Sequence, residues 1–382
     1  MKYRNAICAC AALTCIAPAW AQGEDEAKVD NQFGATGMVT MYGLIDQGVE
    51  YVNNVANGKK GTTNAFRMGD GTATSYWGIR GSEDLGGGMR AIFDLQGGFM
   101  PSNGTLRQGG RLFGRQSYVG LDDNTYGRLT FGRQYTMRFY ATSFINPFGT
   151  GAQGLTTLDN GIANARADNS VSYRYFRGGF EGGVNYSFGR DAVNGNPASA
   201  AAANCPGQTT PSNECREYSA MAKYDGNTWG VATSYERLYG GTSATFGGLT
   251  SPKLTDSRFT LGGYFKIKEA KVGVGWIRRD DEGISTPKSN LLWVTGTVPV
   301  TPFFYVDGMV AGLKYDHSAN KALVLVLRGE YILSKRTFLY LTAEHIHNYG
   351  NLALAATTIT PVPTPPPGSS QVSVIAGIRH TF

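Results

Sequence analysis

The chain has 382 residues, a formal net charge of +6, 52 glycines and 12% aromatic residues. A positive charge this mild gives no reason to expect a nucleic-acid partner. Glycine and aromatic residues are abundant while helix-period segments are nearly absent, which favours an all-β chain longer than an ordinary sandwich needs.

The N-terminus predicts export. Met1-Lys2-Tyr3-Arg4 is a short basic region, an apolar run extends to Trp20, and Ala19-Trp20-Ala21 has the small-x-small pattern of a cleavage site. The apolar run is shorter than the roughly 20 residues that a spanning helix needs. We therefore predict a signal peptide over residues 1–21. Its removal leaves 33 basic and 29 acidic residues, a net charge of +4, because Lys2 and Arg4 are lost from 35.

Residues 22–37 contain four acidic side chains against Lys28 and lack apolar periodicity, so we predict a disordered acidic extension. One domain over residues 38–382 follows it. Cys205 and Cys215 are the two cysteines that remain after cleavage. In an oxidising compartment we expect them to form a disulfide, with two unpaired thiols as the alternative.

From residue 38 onward, apolar and polar residues alternate. Val272, Val274 and Trp276, for example, share one parity, while Lys271 and Arg279 share the other. A two-residue period indicates strands with one apolar and one wet face. We predict sixteen such strands, at 38–52, 73–83, 88–100, 110–122, 126–138, 169–177, 179–190, 217–225, 227–238, 257–268, 269–279, 289–299, 303–316, 319–333, 336–349 and 371–382.

The predicted connections alternate in length. Tight turns join one set of neighbouring strands, and most of the other connections are long, at 53–72, 139–168, 191–216, 239–256 and 350–370. Short turns at one end and long loops at the other are typical of an up-and-down outer-membrane barrel. An even strand number lets the last strand pair with the first, so that no edge is left open in lipid.

Alternation alone would also suit a soluble sandwich. Two features favour a membrane barrel instead. Most predicted strands are close to the roughly 9–11 residues that cross a bilayer at a tilt. Aromatic residues such as Tyr186, Trp229 and Trp276 also lie near strand ends, where their rings suit a membrane interface.

Six motifs stand out in chain order: Tyr42-Gly43-Leu44-Ile45-Asp46, the run from Trp77 to Gly88, Phe113-Gly114-Arg115-Gln116, Phe131-Gly132-Arg133-Gln134, the turn from Leu333 to Thr337, and the closing Gly377 to Phe382. Together they resemble the motifs of the general porins of β-proteobacterial outer membranes, and the resemblance covers Val39 to Phe382.

This resemblance implies a sixteen-stranded antiparallel transmembrane β-barrel that assembles as a homotrimer, with a water-filled pore narrowed by the third long loop. The constriction loop would be Phe139 to Asp168, with Pro147, Phe148 and Gly149 at its tip and Asp159, Arg166 and Asp168 as its charged residues. Facing it would be an arginine wall of Arg80, Arg115, Arg133, Arg174 and Arg379, which the alternation also places on the polar parity. Phe382 is similar to the terminal aromatic residue that the barrel assembly machinery reads.

The sequence departs from the porin pattern at two places. Tyr76 precedes the Trp-Gly pair where many relatives carry arginine, and Asn146 stands before Pro147 where the family commonly has glutamate. Because Asp159 and Asp168 are offset by Arg138 and Arg166, we expect a charge-balanced loop that narrows the pore sterically. The arginine wall then sets a modest preference for anions during passive diffusion of small hydrophilic solutes.

Other chemistries have weaker support in the sequence. His345 and His347 share a strand face but lack an evident third ligand, so no metal or other cofactor is expected. Outer-membrane phospholipases and proteases share the barrel form, yet no Ser/His/Asp neighbourhood stands out, and no enzyme activity is predicted. A substrate-specific channel, or a surface receptor or adhesin acting through the loop with Cys205 and Cys215, stays open. The expected partners are outer-membrane lipid and lipopolysaccharide, the assembly machinery, small solutes and inorganic anions.

Overall fold

The computed structural model describes residues 37–58, 61–159, 161–163, 165–191, 205, 214–242 and 248–382. The predicted signal peptide and, apart from Gly37, the predicted acidic extension lie outside the described residues.

The described residues form one continuous antiparallel sheet that closes on itself. Its strands are β1 (Met38–Ala56), β2 (Thr62–Gly69), β3 (Tyr76–Gly86), β4 (Met89–Gly98), β5 (Gln116–Asp123), β6 (Gly127–Tyr135), β7 (Arg166–Arg177), β8 (Phe180–Ser187), β9 (Glu217–Asp225), β10 (Trp229–Tyr239), β11 (Thr255–Ile267), β12 (Ala270–Asp281), β13 (Lys288–Thr301), β14 (Phe304–Tyr315), β15 (Lys321–Ser334), β16 (Thr337–Tyr349) and β17 (Ser370–Thr381). Pairing of β1 with β17, from Leu44 opposite Thr381 to Val52 opposite Ser373, closes the barrel.

The seventeen segments occupy sixteen positions in the wall. β2 pairs with the upper half of β1, from Gly48 to Ala56, and β3 pairs with its lower half, from Met38 to Leu44. The interruption at residues 70–75 is held by Asp46, whose carboxylate accepts hydrogen bonds of 3.0 Å from the backbone N–H groups of Gly71, Thr72 and Ala73. The predicted loop 53–72 is therefore wrong in its bounds, because most of it continues the wall.

The wall exposes apolar side chains on its outer face and buries polar side chains on its inner face, which is the reverse of a soluble protein. On β1, Ile45 and Val49 are 40% and 52% exposed, whereas Asp46 and Glu50 are fully buried. An apolar outer face suits lipid, and a polar inner face suits an enclosed lumen. The soluble-sandwich alternative is thus wrong, and the alternation correctly predicted the outward parity of most strands.

The connections follow the predicted alternation. At one end of the barrel the strands are joined by two or three residues, at 87–88, 124–126, 178–179, 226–228, 268–269, 302–303 and 335–336. The other end carries the longer connections, including 99–115, 136–165 and 350–369. The short-turn end is periplasmic and the long-loop end extracellular in a barrel of this class.

Two helices lie between β6 and β7, α1 (Met137–Ile145) and α2 (Leu155–Leu158). The sequence analysis predicted a strand that ends at residue 138 and no regular structure after it. The strand instead ends at Tyr135, and two helices follow it. Within the described ranges, no helix combines the length and the apolar character that a bilayer-spanning helix requires.

Candidate functional site

The segment 136–165 is anchored to the wall at its start by a pair of hydrogen bonds. The hydroxyl of Thr136 donates to Glu236 on β10 at 2.6 Å, and the backbone N–H of Met137 donates to Ser219 on β9 at 2.9 Å. Every residue of α1 is buried, and the helix packs against β9, β10 and β11. These bonds fix the direction in which the chain leaves β6.

The other half of the segment contacts strands on a different part of the wall. Glu344 on β16 accepts hydrogen bonds from the backbone N–H of Gly154 at 2.6 Å and from the hydroxyl of Thr157 at 2.8 Å. The amide of Gln153 donates to the carbonyl of Ser373 on β17 at 3.0 Å. The segment therefore contacts β9 to β11 at its start and β16 to β17 through its middle, in each case at buried residues of the wall.

A tight turn forms the tip of the segment. The side chain of Asn146 accepts from the N–H of Phe148 at 3.2 Å and donates to the carbonyl of Gly149 at 3.0 Å. A glutamate cannot donate the second bond when ionised, which explains the asparagine at this position. The carbonyl of Pro147 accepts from Arg328 on β15 at 3.0 Å, and the guanidinium of Arg328 lies 4.6 Å from the Phe148 ring centre.

Asp159 is paired with the wall. Its carboxylate accepts hydrogen bonds of 2.9 and 3.2 Å from Arg258 on β11, which also binds Asp256 at 2.8 Å. Burial opposes ionisation of Asp159, but the positive charges of Arg258, Arg279 and Arg138 outweigh it and hold the pKa of the carboxyl well below its usual value. From the sequence we expected Arg138 and Arg166 to offset the loop carboxylates. In the structure the direct ion-pair partner of Arg138 is Glu236 on β10.

Arg133, predicted as a wall arginine, and Asp168, predicted as a loop carboxylate, form an ion pair at 2.6 Å beside a bulge. Asp168 and Arg166 both belong to β7, which starts at Arg166, rather than to the loop. Strict alternation would put Arg133 on the parity of the exposed Phe131. A register shift between Gly132 and Gln134 breaks that alternation, so the parity argument for Arg133 is wrong.

The ion pair continues into a small network at the extracellular end. Arg111 lies 3.1 Å from Asp168 and 2.5 Å from Asp191. The backbone of Asp191 bridges to Cys205, which is bonded to Cys215 with an S–S distance of 1.98 Å. The predicted disulfide is confirmed, and it ties the loop after β8 to this network.

Arginines and tyrosines contact one another in one continuous set, Arg80–Tyr42–Tyr76–Arg115–Tyr135–Arg166, here called the arginine–tyrosine ladder. Arg80 lies 4.3 Å from the ring centre of Tyr42, whose ring meets that of Tyr76 edge-on at 6.2 Å. Arg115 in turn lies 4.4 Å from the ring centre of Tyr76. Tyr76, a departure from the porin pattern, thus supplies the ring that joins two of the predicted wall arginines.

The ladder ends where two guanidinium groups meet one hydroxyl. Arg115 and Arg166 donate to the Tyr135 oxygen at 2.8 and 2.9 Å. Their other hydrogen bonds include Gln96 at 2.5 Å for Arg115 and the carbonyl of Ala163 at 3.0 Å for Arg166, which are neutral acceptors. Two like charges so close together concentrate positive potential.

The remaining predicted wall arginines lie apart from this cluster. Arg174 binds Glu181 at 2.9 and 2.5 Å and lies 3.7 Å from the ring centre of Tyr140, near the periplasmic turn. Arg379 is buried on β17 near Phe338, 5.3 Å from that ring's centre. Among the described residues, Nε and Nη1 of Arg379 have no hydrogen-bond partner.

Sequence reasoning did not single out Arg258 and Arg328 as site residues. Both are almost completely buried and bind carboxylates of the wall, Arg328 through Asp307 at 2.7 Å. Their position on the polar parity was readable from the alternation, but their contact with the loop was not.

The C-terminus closes the seam of the barrel. Phe382 and Gly43 exchange two backbone hydrogen bonds of 3.0 Å. The phenyl ring covers Gly43 so closely that a Cβ there would lie 2.5 Å from it. Its proposed reading by the assembly machinery stays a prediction.

Comparison with known proteins gives one consistent result. The sequence matches the family described as Gram-negative porin over residues 8–351. It is 30% identical to an outer membrane porin protein of Bordetella pertussis, over 90% of this chain and 94% of that protein. It is also 30% identical to outer membrane porin protein 32 of Delftia acidovorans, over 91% and 95% of the two chains.

Solved structures show the same fold. The anion-selective porin from Comamonas acidovorans superimposes with a TM-score of 0.71 at 23% identity, covering 90% of this chain and 99% of that one. OmpT of Vibrio cholerae gives a TM-score of 0.61 at 17% identity, covering 92% and 99%. The closed barrel, its inverted faces and these matches lead to one conclusion: the chain belongs to the family of Gram-negative outer-membrane porins.

Proposed function

We propose that this porin is a passive channel for small hydrophilic solutes with a modest preference for anions, and that it has no enzyme activity. The observation that carries the proposal is the arginine–tyrosine ladder, above all the two guanidinium groups of Arg115 and Arg166 on one tyrosine oxygen. A cleft with low-dielectric walls focuses such a field and raises the local concentration of counter-ions.

Three of the carboxylates around the segment 136–165 are already compensated and do not cancel this field. Asp159 binds Arg258, Glu236 binds Arg138 and Asp307 binds Arg328, so each already has a guanidinium partner. We infer that the segment folds into the lumen and narrows it, because it bonds to buried residues on both β9 to β11 and β16 to β17. The positive end of the ladder then faces the passage that is left.

One relative in structure, the porin from Comamonas acidovorans, is described as anion-selective, which supports the same preference here. A trimer form is described for OmpT of Vibrio cholerae, and we propose a homotrimer for this chain as well. Cross-linking of the purified, detergent-solubilised protein tests the trimer, and a single monomeric species would refute it.

The test of function uses the purified protein in a planar bilayer with a potassium chloride gradient. The sign of the reversal potential reports which ion passes more easily, and we expect the sign for chloride. Liposome swelling with sugars of increasing size tests the channel itself. Swelling that falls off with solute size supports a diffusion pore, and no swelling with any sugar would favour a closed receptor or adhesin barrel.

A further inference from the structure

Four charged residues form a chain of ion pairs beside the extracellular end of the ladder. Arg133 binds Asp168 at 2.6 Å, Asp168 also lies 3.1 Å from Arg111, and Arg111 lies 2.5 Å from Asp191. We call these four residues the charged quartet. Two arginines and two aspartates meet in it, so the quartet has no net charge while all four stay in contact.

The quartet lies next to the positive end of the ladder. Asp168 and Arg166 are two residues apart on β7, and both are buried. Residues with that spacing on one strand are at most about 7 Å apart. A change of charge in the quartet is therefore felt by an ion near the two guanidinium groups that meet at Tyr135, since the Debye length is about 8 Å at physiological ionic strength.

The two aspartates of the quartet are held in different ways. Asp168 is part of β7, and its backbone N–H donates to the carbonyl of Arg190 at 3.0 Å. Asp191 comes after the end of β8 and lies outside the strands of the wall. Its position therefore depends on the backbone that pairs with it.

The disulfide supplies that backbone. The N–H of Cys205 donates to the carbonyl of Asp191 at 3.1 Å, and the N–H of Asp191 donates to the carbonyl of Cys205 at 3.4 Å. Cys215 accepts from the N–H of Arg190 at 3.0 Å and donates its own N–H to the carbonyl of Gly240 at 2.9 Å. The disulfide thus links the residue that pairs with Asp191 to a residue that is bonded to the chain just after β10.

We propose that Asp191 is a determinant of ion selectivity at the extracellular mouth of the channel, and that the disulfide positions it. The carboxylate of Asp191 compensates Arg111. Without it, Arg111 and Arg133 share the single carboxylate of Asp168, and one positive charge is left beside the ladder. Asp191 therefore lowers the anion preference that the ladder produces. The inference rests on the proposed channel function, because it concerns the ions that pass through the same lumen.

The first measurement compares Asp191→Asn with the parent in a planar bilayer at low salt. The substitution keeps the shape of the side chain and removes its negative charge. We expect the chloride-to-potassium permeability ratio to rise by up to about threefold, the effect of one unit charge about 6 Å from the ion path in water. Asp191→Glu keeps the charge, so its ratio should stay close to that of the parent.

Asp316→Asn is the matched control for the loss of charge. Asp316 binds Arg278 at 2.6 Å, also near the extracellular end of a strand, but Arg278 lies on the outward parity of β12. The substitution removes the same charge from an arginine–aspartate pair on the outer face of the wall. Its permeability ratio should therefore equal that of the parent.

The second measurement tests whether the disulfide acts through Asp191. Cys205→Ala/Cys215→Ala removes the bridge, and we expect the permeability ratio to rise, as it does in Asp191→Asn. Adding the same two alanines to Asp191→Asn should change the ratio no further, because the carboxylate that the bridge positions is already absent. Such a double-mutant cycle measures the coupling between two sites. Heat-dependent migration in gels checks that each variant forms a barrel.

A ratio for Asp191→Asn equal to that of the parent would overturn the proposal. An unchanged ratio in the bridge variant would overturn the positioning role of the disulfide, as would a further rise when the bridge is removed from Asp191→Asn. The sign of the parent's reversal potential tests the proposed function separately. A parent that prefers potassium would refute the anion preference, while the difference between the parent and Asp191→Asn would still report the effect of Asp191.

Discussion

Replacing Arg115 and Arg166 together by glutamine removes the two charges that meet at Tyr135. Both side chains lie within 3 Å of the same hydroxyl, at 2.8 and 2.9 Å, so a passing ion that is near one is near both. A unit charge about 6 Å away contributes about 0.7 kcal/mol in water, or about threefold in relative ion concentration. The two charges together thus account for up to about tenfold before salt screening, and burial of both side chains strengthens each interaction.

The assay is the ratio of chloride to potassium permeability, from reversal potentials in a planar bilayer at low and high salt. We expect the chloride-to-potassium permeability ratio of the double variant to be at least about threefold lower than that of the parent. The difference should shrink at 1 M salt because the Debye length falls to about 3 Å. Barrel content is checked by circular dichroism and heat-dependent gel migration.

A matched control lies on the same strand. Arg177 is exposed on the outward parity of β7, next to the periplasmic turn. Arg177→Gln removes one positive charge, as each of the two ladder substitutions does, but it leaves the ladder intact. Its permeability ratio should therefore equal that of the parent. If the double variant also keeps the parent ratio, the ladder does not face the ion path and the reasoning fails.

Two further predictions concern the segment 136–165. Glu344→Ala removes the acceptor for Gly154 and Thr157, and each lost hydrogen bond costs about 1 kcal/mol, so we expect larger and noisier single-channel conductance, with Glu344→Gln in between. Identical traces for all three proteins would mean that this anchor does not set the aperture. Asp159→Asn tests the ion pair with Arg258. Because the pKa of Asp159 is lowered on folding, its stabilisation is present above the unfolded pKa of about 3.9 and is lost as the pH falls below it. The variant should therefore show a lower thermal midpoint than the parent at pH 7 and a smaller difference in strong acid, whereas a constant difference would contradict the assignment.

Strand existence and orientation were readable from the sequence because each wall strand buries one face and exposes the other. The same rule failed at Arg133, since the bulge at Gly132 and Gln134 inserts a residue that alternation does not record. Alternation also cannot account for the position of Arg115, because this residue precedes the first residue of β5 and lies outside the strand.

Helix α1 was not predictable for a different reason. An amphipathic period appears when one side of a helix faces water, but all nine residues of α1 are buried, including Arg138, Thr142 and Ser143. Arg138 meets its partner on the wall instead, the carboxylate of Glu236 on β10.

The ion partners of the segment were likewise hidden. Asp159 and Arg258 are 99 residues apart in sequence and meet only because the closed barrel brings β11 to the segment. Counting charges in the sequence correctly indicated a loop without a large net charge. Which arginine compensates which carboxylate, however, depends on the strand register and on the closing of the barrel. That pairing is what leaves the ladder as the positive side of the site.

The most direct test of the central claim is the reversal potential of the purified parent protein in a salt gradient. The account predicts a permeability ratio that favours chloride over potassium and that falls as salt screens the ladder. A ratio that favours potassium would contradict it.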